Sequence, residues 1–277
     1  MSQPILQVRD LHAAYGKAEV LHGLSFDLHA GEVVTIIGPN GAGKTTLLGS
    51  LMGLLHCQGD IVFNGREVHE LPLEERVMLG LSLVPERREL FGSMPVEDNL
   101  LLGGYRRMRQ GVSNWRDELA HVYALFPRLK ERREQKAGTL SGGERQMLAV
   151  GRALMAKPQV LMLDEPSLGL SPTAVDSVFE ALDTVRGAGK AVLVVEQRAE
   201  FTIAFCHRTH VLHDGLITLN LEPKDAGTWP CSPRRTSDES AHPVPRRRPL
   251  AGCGPWPCRT GDRPGLRCDP ARELRQW

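Results

Sequence analysis

The stretch that most constrains this chain runs from Gly38 to Thr46: Gly38, Pro39, Asn40, Gly41, Ala42, Gly43, Lys44, Thr45 and Thr46. It satisfies the phosphate-loop pattern G-x-x-x-x-G-K-S/T in full. Before it, Val33 to Ile37 is an almost wholly apolar run, as expected of a parallel strand buried on both faces. After it, Leu47, Leu48, Leu51 and Met52 have helical spacing. Strand, glycine loop and helix in that order turn successive backbone N–H groups toward an anion, and the helix N-terminus adds its positive end. On this reading Lys44 reaches the β- and γ-phosphates of a nucleoside triphosphate and the Thr45 hydroxyl faces Mg²⁺.

Around this loop the chain alternates strands and helices. Ile5–Arg9 and Val20–Leu28 read as strands, the second with Leu24, Phe26 and Leu28 on one face. Gly59 to Gly65 reads as a strand entering an Asn-Gly hairpin. Leu73–Leu79 is predicted as a short helix and Leu81–Val84 as a strand ending at Pro85-Glu86. From about residue 95 to 157 strand signal gives way to helices. Pro95 begins one over Val96–Leu102. A second spans Arg116–Phe126, with Leu119, Val122, Tyr123 and Phe126 on one face and Pro127 stopping it. The charged run Arg128–Lys136 is expected to be a solvated face. The core then resumes with Val160–Leu163, a helix over Val175–Arg186, a buried strand Ala191–Val195 and an Asp214-Gly215 hairpin within Thr209–Leu219.

Two further motifs narrow the chemistry. Val160–Glu165 is an apolar strand ending in two carboxylates. Asp164 is placed to hold Mg²⁺ through its hydration shell. Glu165, one residue further out, can polarise a water for in-line attack on the γ-phosphorus. In Leu140-Ser141-Gly142-Gly143-Glu144-Arg145-Gln146, Ser141 and Glu144 have capping-box spacing. Gly142 and Gly143 leave that helix start bare enough for a phosphate to approach.

Together these motifs resemble the ATP-binding cassette family over residues 5 to about 219, with Leu140–Gln146 in the place of its signature motif. The resemblance implies an α/β P-loop NTPase core of RecA-like type, with an antiparallel β subdomain and an inserted helical subdomain at about 95–157. Residues 1–222 then form one ATP-binding domain. Two such domains pair head to tail, and the signature of one clamps the ATP held by the other. Tyr15 matches the aromatic that stacks on adenine, a plain core tyrosine being the alternative. Three positions depart from the usual pattern: Glu86 stands where a glutamine is common, Gln197 follows Glu196 at the switch position usually held by histidine, and Leu170 replaces an aspartate. Glutamine can donate to the γ-phosphate but does not titrate near neutral pH. With Val96–Leu100 and Leu125–Leu129, these departures are similar to the second ATPase subunit of bacterial branched-chain amino acid importers; an ATPase for another cargo such as urea, amides or lipopolysaccharide, a soluble non-transport cassette protein, and a catalytically impaired product of the aberrant tail are the alternatives. The resemblance implies ATP hydrolysis at Glu165, Gln197 and Lys44, with Mg²⁺ at Thr45, Glu86 and Asp164. It also implies membrane permease partners, a second and different ATPase subunit, an indirect periplasmic solute-binding protein and a place on the cytoplasmic face of the inner membrane.

Composition adds exclusions. A net charge of +1 over 277 residues points to no nucleic-acid partner, and no apolar run is long enough to cross a bilayer. Met1-Ser2-Gln3-Pro4 has no basic n-region with an apolar stretch behind it, so a signal peptide is not expected there. Cys206, His207, His210 and His213 straddle a helix end and a strand, so they are not expected to converge on a metal. Residues 223–277 are crowded with proline and arginine, including Arg246-Arg247-Arg248, and keep no helical or strand period. They are expected to be disordered and read like the product of a shifted frame.

Overall fold

The computed structural model describes residues 3–112, 114–198, 202 and 205–221. The expectations for residues 223–277 lie outside the described residues. Ten strands and eight α-helices occur among those described. They are β1 (Leu6–Tyr15), β2 (Ala18–Leu28), β3 (Val33–Ile37), α1 (Lys44–Met52), β4 (Cys57–Phe63), β5 (Arg66–Glu67), α2 (Leu73–Leu79) and β6 (Leu81–Val84). Next come α3 (Val96–Gly103), α4 (Tyr105–Arg109), α5 (Trp115–Leu125), α6 (Pro127–Glu131) and α7 (Gly142–Met155). The chain continues with β7 (Val160–Asp164), α8 (Pro172–Gly187), β8 (Ala191–Glu196), β9 (Arg208–His213) and β10 (Leu216–Leu221).

The central sheet has the order β10-β9-β3-β8-β7-β6, parallel except for the β9–β10 hairpin. Every residue of β3, β7 and β8 is buried, which is why their sequences are continuous apolar runs. Pleat alternation divides those side chains between two cores. Leu161, Leu163, Val192 and Val194 face the helices α3, α5, α7 and α8. Val160, Met162, Leu193 and Val195 face α1 and the second sheet, of order β2-β1-β4-β5, which is antiparallel. The sheet is thus the middle layer, and it aims the carboxyl ends of β3 and β7 at one edge.

The first strand runs six residues beyond the expected end at Arg9, to Tyr15. Asp10 has a positive φ of 48° and the register shifts between Val8 and Leu11, so the two-residue period is lost midway although the strand is not. Gly59 on β4 accommodates the shift: a Cβ there would lie 2.2 Å from the Asp10 carbonyl oxygen. Pro127 does end α5, and it also opens α6 as that helix's first residue.

The run Arg128–Lys136 presents the solvated face expected of it, since its charged side chains are exposed except for half-buried Arg132, but it does more. Leu129 is wholly buried, and the Gln135 and Arg133 carbonyls accept the Val96 and Glu97 N–H groups at the start of α3. The stretch therefore also ties α6 to the start of α3, and of its arginines only Arg132 is half-buried. Helices α3 and α7 pack at backbone contact: a Cβ on Gly103 would meet the Arg152 carbonyl oxygen at 1.9 Å.

Candidate functional site

The phosphate loop is built by conformation and close packing. Gly41 and Gly43 take φ of 85° and 106°, which glycine adopts without steric cost. At Gly38 the requirement is space, since a Cβ would stand 2.3 Å from the Leu212 carbonyl oxygen of β9. The loop is braced by Gly38 N–H to the Glu196 carbonyl (3.1 Å) and by Gly215 N–H to the Ala42 carbonyl (3.1 Å). Asn40 and Gly41 are exposed at its tip, with Pro39 half-buried beside them, and Thr46 is buried behind it. Helix α1 begins at Lys44 with no side-chain cap and no acidic residue in its first turn. Its leading N–H groups therefore keep their capacity for an anion.

Lys44 and the β7 carboxylates meet at this loop. Lys44 is buried, and its Nζ donates to the Gly38 (2.8 Å) and Pro39 (3.0 Å) carbonyls. It also pairs with Glu165 Oε1 at 3.1 Å. The Thr45 hydroxyl donates to Asp164 Oδ2 at 2.9 Å. The other carboxylate oxygen, Asp164 Oδ1, is buried and has no partner. Burial pushes the Asp164 carboxyl above its ordinary pKa; the Thr45 hydrogen bond opposes this, and the carboxylates of Glu165 and Glu86 add to it. Glu86 is exposed just beyond the end of β6. An orphaned hard oxygen beside a hydroxyl, with the Glu165 carboxylate next in the chain, is chemistry suited to Mg²⁺. Glu165 leaves the strand with a positive φ of 45°, fixed by its N–H on the Val195 carbonyl (2.9 Å). This turns its carboxylate toward the loop instead of continuing the pleat.

Tyr15 is exposed at the tip of the β1–β2 hairpin, where it pairs with Ala18. The same hairpin packs on the phosphate loop, because Leu21 and Val20 are the nearest neighbours of Gly43. A plain core tyrosine is excluded by that exposure. Gln197 is exposed immediately beyond β8. The signature stretch lies at the start of α7. Ser141 caps the helix, its Oγ accepting from Glu144 N–H (3.3 Å) while Glu144 Oε2 accepts from Ser141 N–H (2.9 Å), the reciprocal pattern its spacing predicts. The two glycines differ. Gly142 has open space, with nothing nearer than 3.8 Å to a Cβ, whereas at Gly143 a Cβ would stand 2.7 Å from Ala174 of α8. Gly142 leaves the helix start bare, and Gly143 is there so that α8 can pack.

Sequence reasoning passed over two contacts. Glu196 is buried, and its Oε1 accepts from Ser167 N–H at 2.9 Å, tying the end of β8 to the loop after Glu165. Burial and the Glu165 charge raise its pKa, while the Ser167 hydrogen bonds hold it down. The signal was available, since a carboxylate ending an apolar strand is the same pattern as Asp164. The other contact is the ion pair of Arg132 with Glu144 Oε1 at 2.6 Å. The histidines go elsewhere: His207 Nδ1 accepts from Val33 N–H, and His210 Nδ1 meets Asn220.

The sequence profile of the ABC transporter family matches residues 21–168, more than half of the chain and the whole span from the phosphate loop to Glu165. The chain belongs to the ABC transporter family. BraG of Pseudomonas aeruginosa, a high-affinity branched-chain amino acid transport ATP-binding protein, is 44% identical over 207 residues, covering 74% of this chain and 88% of BraG. The probable branched-chain amino acid transport protein LivF of Archaeoglobus fulgidus is 35% identical, over 78% of this chain and 91% of LivF. The lipopolysaccharide export protein LptB of Acidithiobacillus ferridurans is 32% identical, over 80% and 91%. The solved ADP conformation of an ATP-binding cassette superposes with a TM-score of 0.73 at 24% identity, covering 82% of this chain and 94% of that one, a likeness of fold. This ABC transporter subunit binds ATP and hydrolyses it to drive transport, working with membrane permease components. Among its described residues no helix is long and apolar enough to cross a membrane.

Proposed function

We propose that this ATPase energises uptake of branched-chain amino acids from the cytoplasmic face of the inner membrane. It would be paired head to tail with a second, different ATPase subunit on permeases fed by a solute-binding protein. The observation that carries the reading is the 44% identity to BraG, sustained over 88% of that protein. Glu86, Gln197 and Leu170 support it, as departures shared with that branch by resemblance. Residues 1–222 are assigned to the ATP-binding domain, with a helical subdomain at about 95–157.

In the proposed mechanism the exposed ring of Tyr15 stacks on adenine. The phosphate-loop N–H groups and the Lys44 ammonium hold the β- and γ-phosphates. Asp164 and the Thr45 hydroxyl, with Glu86 beside them, would hold Mg²⁺, which when bound neutralises phosphate charge. Glu165 accepts a proton from the attacking water as the γ-phosphorus leaves the β-phosphate oxygen. Gln197 orients the γ-phosphate by donating a hydrogen bond. Ser141, Gly142 and Gly143 serve the nucleotide of the opposite subunit.

Purification of the chain with its membrane subunits, followed by uptake of labelled leucine, isoleucine and valine, tests this reading. ATP-dependent uptake of all three is expected. The likeness to LptB supports a second reading, transport of another cargo. Membrane partners that extract lipopolysaccharide and take up no amino acid would establish it.

A further inference from the structure

Arg88 lies two residues beyond Glu86, and its backbone is left-handed, with φ 64°; the next residue, Glu89, has φ 45°. Two consecutive non-glycine residues in that region persist only where their surroundings hold them. The hold comes from α7. Arg152 donates to the Arg88 carbonyl (2.9 Å) and to the Glu89 carbonyl (2.7 Å), and its guanidinium lies 5.8 Å from the Phe91 ring centre. The Arg88 side chain reaches back toward the site. Its Nε donates to Oε1 of buried Gln146 at 2.6 Å, and its Nη2 donates to the Leu168 carbonyl at 3.3 Å. One guanidinium therefore joins the Glu86 loop, the first turns of the helix capped by Ser141, and the loop after Glu165.

We propose that Arg88 is a positioning residue of the ATPase, holding helix α7 and Ser141 in register with the Glu86 loop and with the loop that follows Glu165. This rests on the reading of Ser141 and Glu165 given above. Its bonds run to protein acceptors, so it acts through them. A planar guanidinium can meet both acceptors together, whereas an ammonium is a point donor. Through this link a shift at one nucleotide's Mg²⁺-facing loop is transmitted to the signature helix that serves the other nucleotide.

The test uses the full-length chain with Arg88→Ala, Arg88→Lys, Gln146→Leu and the double variant Arg88→Ala/Gln146→Leu, each assayed for kcat, KM and thermal midpoint. Arg88→Ala should lower kcat by about 2- to 30-fold, the range seen for residues that couple sites without touching ligand, with KM held within about twofold. Gln146→Leu leaves the strained loop untouched and should reproduce the loss. The double variant should be no slower than the slower single one, and Arg88→Lys should recover part of the rate. Parent-like kcat in Arg88→Ala, or in Gln146→Leu at an unchanged thermal midpoint, overturns the proposal, as does a multiplicative loss in the double variant. Glu165→Gln serves as the separate control. If it keeps the parent rate, the reading of the base fails whatever Arg88 does.

Discussion

The phosphate loop and the signature stretch are both glycine-rich helix starts, yet they are built differently. At the phosphate loop, Lys44 draws in the Gly38 and Pro39 carbonyls and Glu165, so the chain itself brings the groups of this half together. Helix α1 there has no side-chain cap. At the signature, Ser141 and Glu144 cap α7 reciprocally, and Arg132 holds Glu144 from outside. A helix start that receives a phosphate within its own chain can remain uncapped. On the head-to-tail pairing proposed above, the signature helix would meet a phosphate held by the opposite subunit, and its own cap would keep its shape until that encounter. The same residue type, glycine, serves conformation alone at Gly41, conformation and packing together at Gly43, and packing at Gly143.

Substitutions can break this contrast, and the largest effect is expected at Glu165. Glu165→Gln keeps shape but removes the base, so hydrolysis should fall by about 10²–10⁴-fold while ATP still binds; single-turnover assays check it, and near-parent turnover would remove Glu165 from the chemistry. Ser141→Arg should abolish ATP-dependent association of subunits in sedimentation and leave nucleotide affinity of the single chain unchanged. A weakened affinity in the single chain would mean the two halves are not separable. Lys44→Ala should weaken ATP binding by about 10- to 100-fold, as expected for one charge-assisted hydrogen bond, with the fold retained; nucleotide titration and circular dichroism decide it. The smallest effects separate the glycines. Gly143→Ala forces apart α7 and α8 and should cost about 1–3 kcal/mol in denaturant unfolding. Gly41→Ala meets no neighbour and should cost about 1–2 kcal/mol through its left-handed backbone alone. Equal loss of nucleotide affinity in both would erase the distinction drawn between them.

Much of the site was legible because its chemistry is local in sequence. The phosphate loop, the carboxylates ending β7 and the capping box are each written in a few adjacent residues, and β3, β7 and β8 announce themselves by burial on both faces. What was not legible depends on partners far along the chain. The bulge at Asp10 hid the second half of β1, because the residue that makes room for it, Gly59, belongs to another strand. Arg132 reads as part of a solvated face, since a run of charged residues does not say which carboxylate one of them will meet, and nothing adjacent to Arg88 marks its partners Gln146 and Leu168. Gly143 reads as absence of a side chain, and only Ala174 explains why.

The order of the central sheet also has a consequence for synthesis. Strand β3, which carries the phosphate loop, is hydrogen-bonded on one side to β8 and on the other to β9, the strands made almost last among those described. A nascent chain that stops before Arg208 has made the nucleotide-binding motif but lacks both the β9 neighbour and the Leu212 carbonyl against which Gly38 packs. Pairing across so long an interval is slow, because the intervening chain must first be closed into a loop. Ribosome-bound chains halted before that point should fail to retain a fluorescent nucleotide, and chains extended past Leu221 should hold it. The motif is thus among the first segments translated and among the last to become competent.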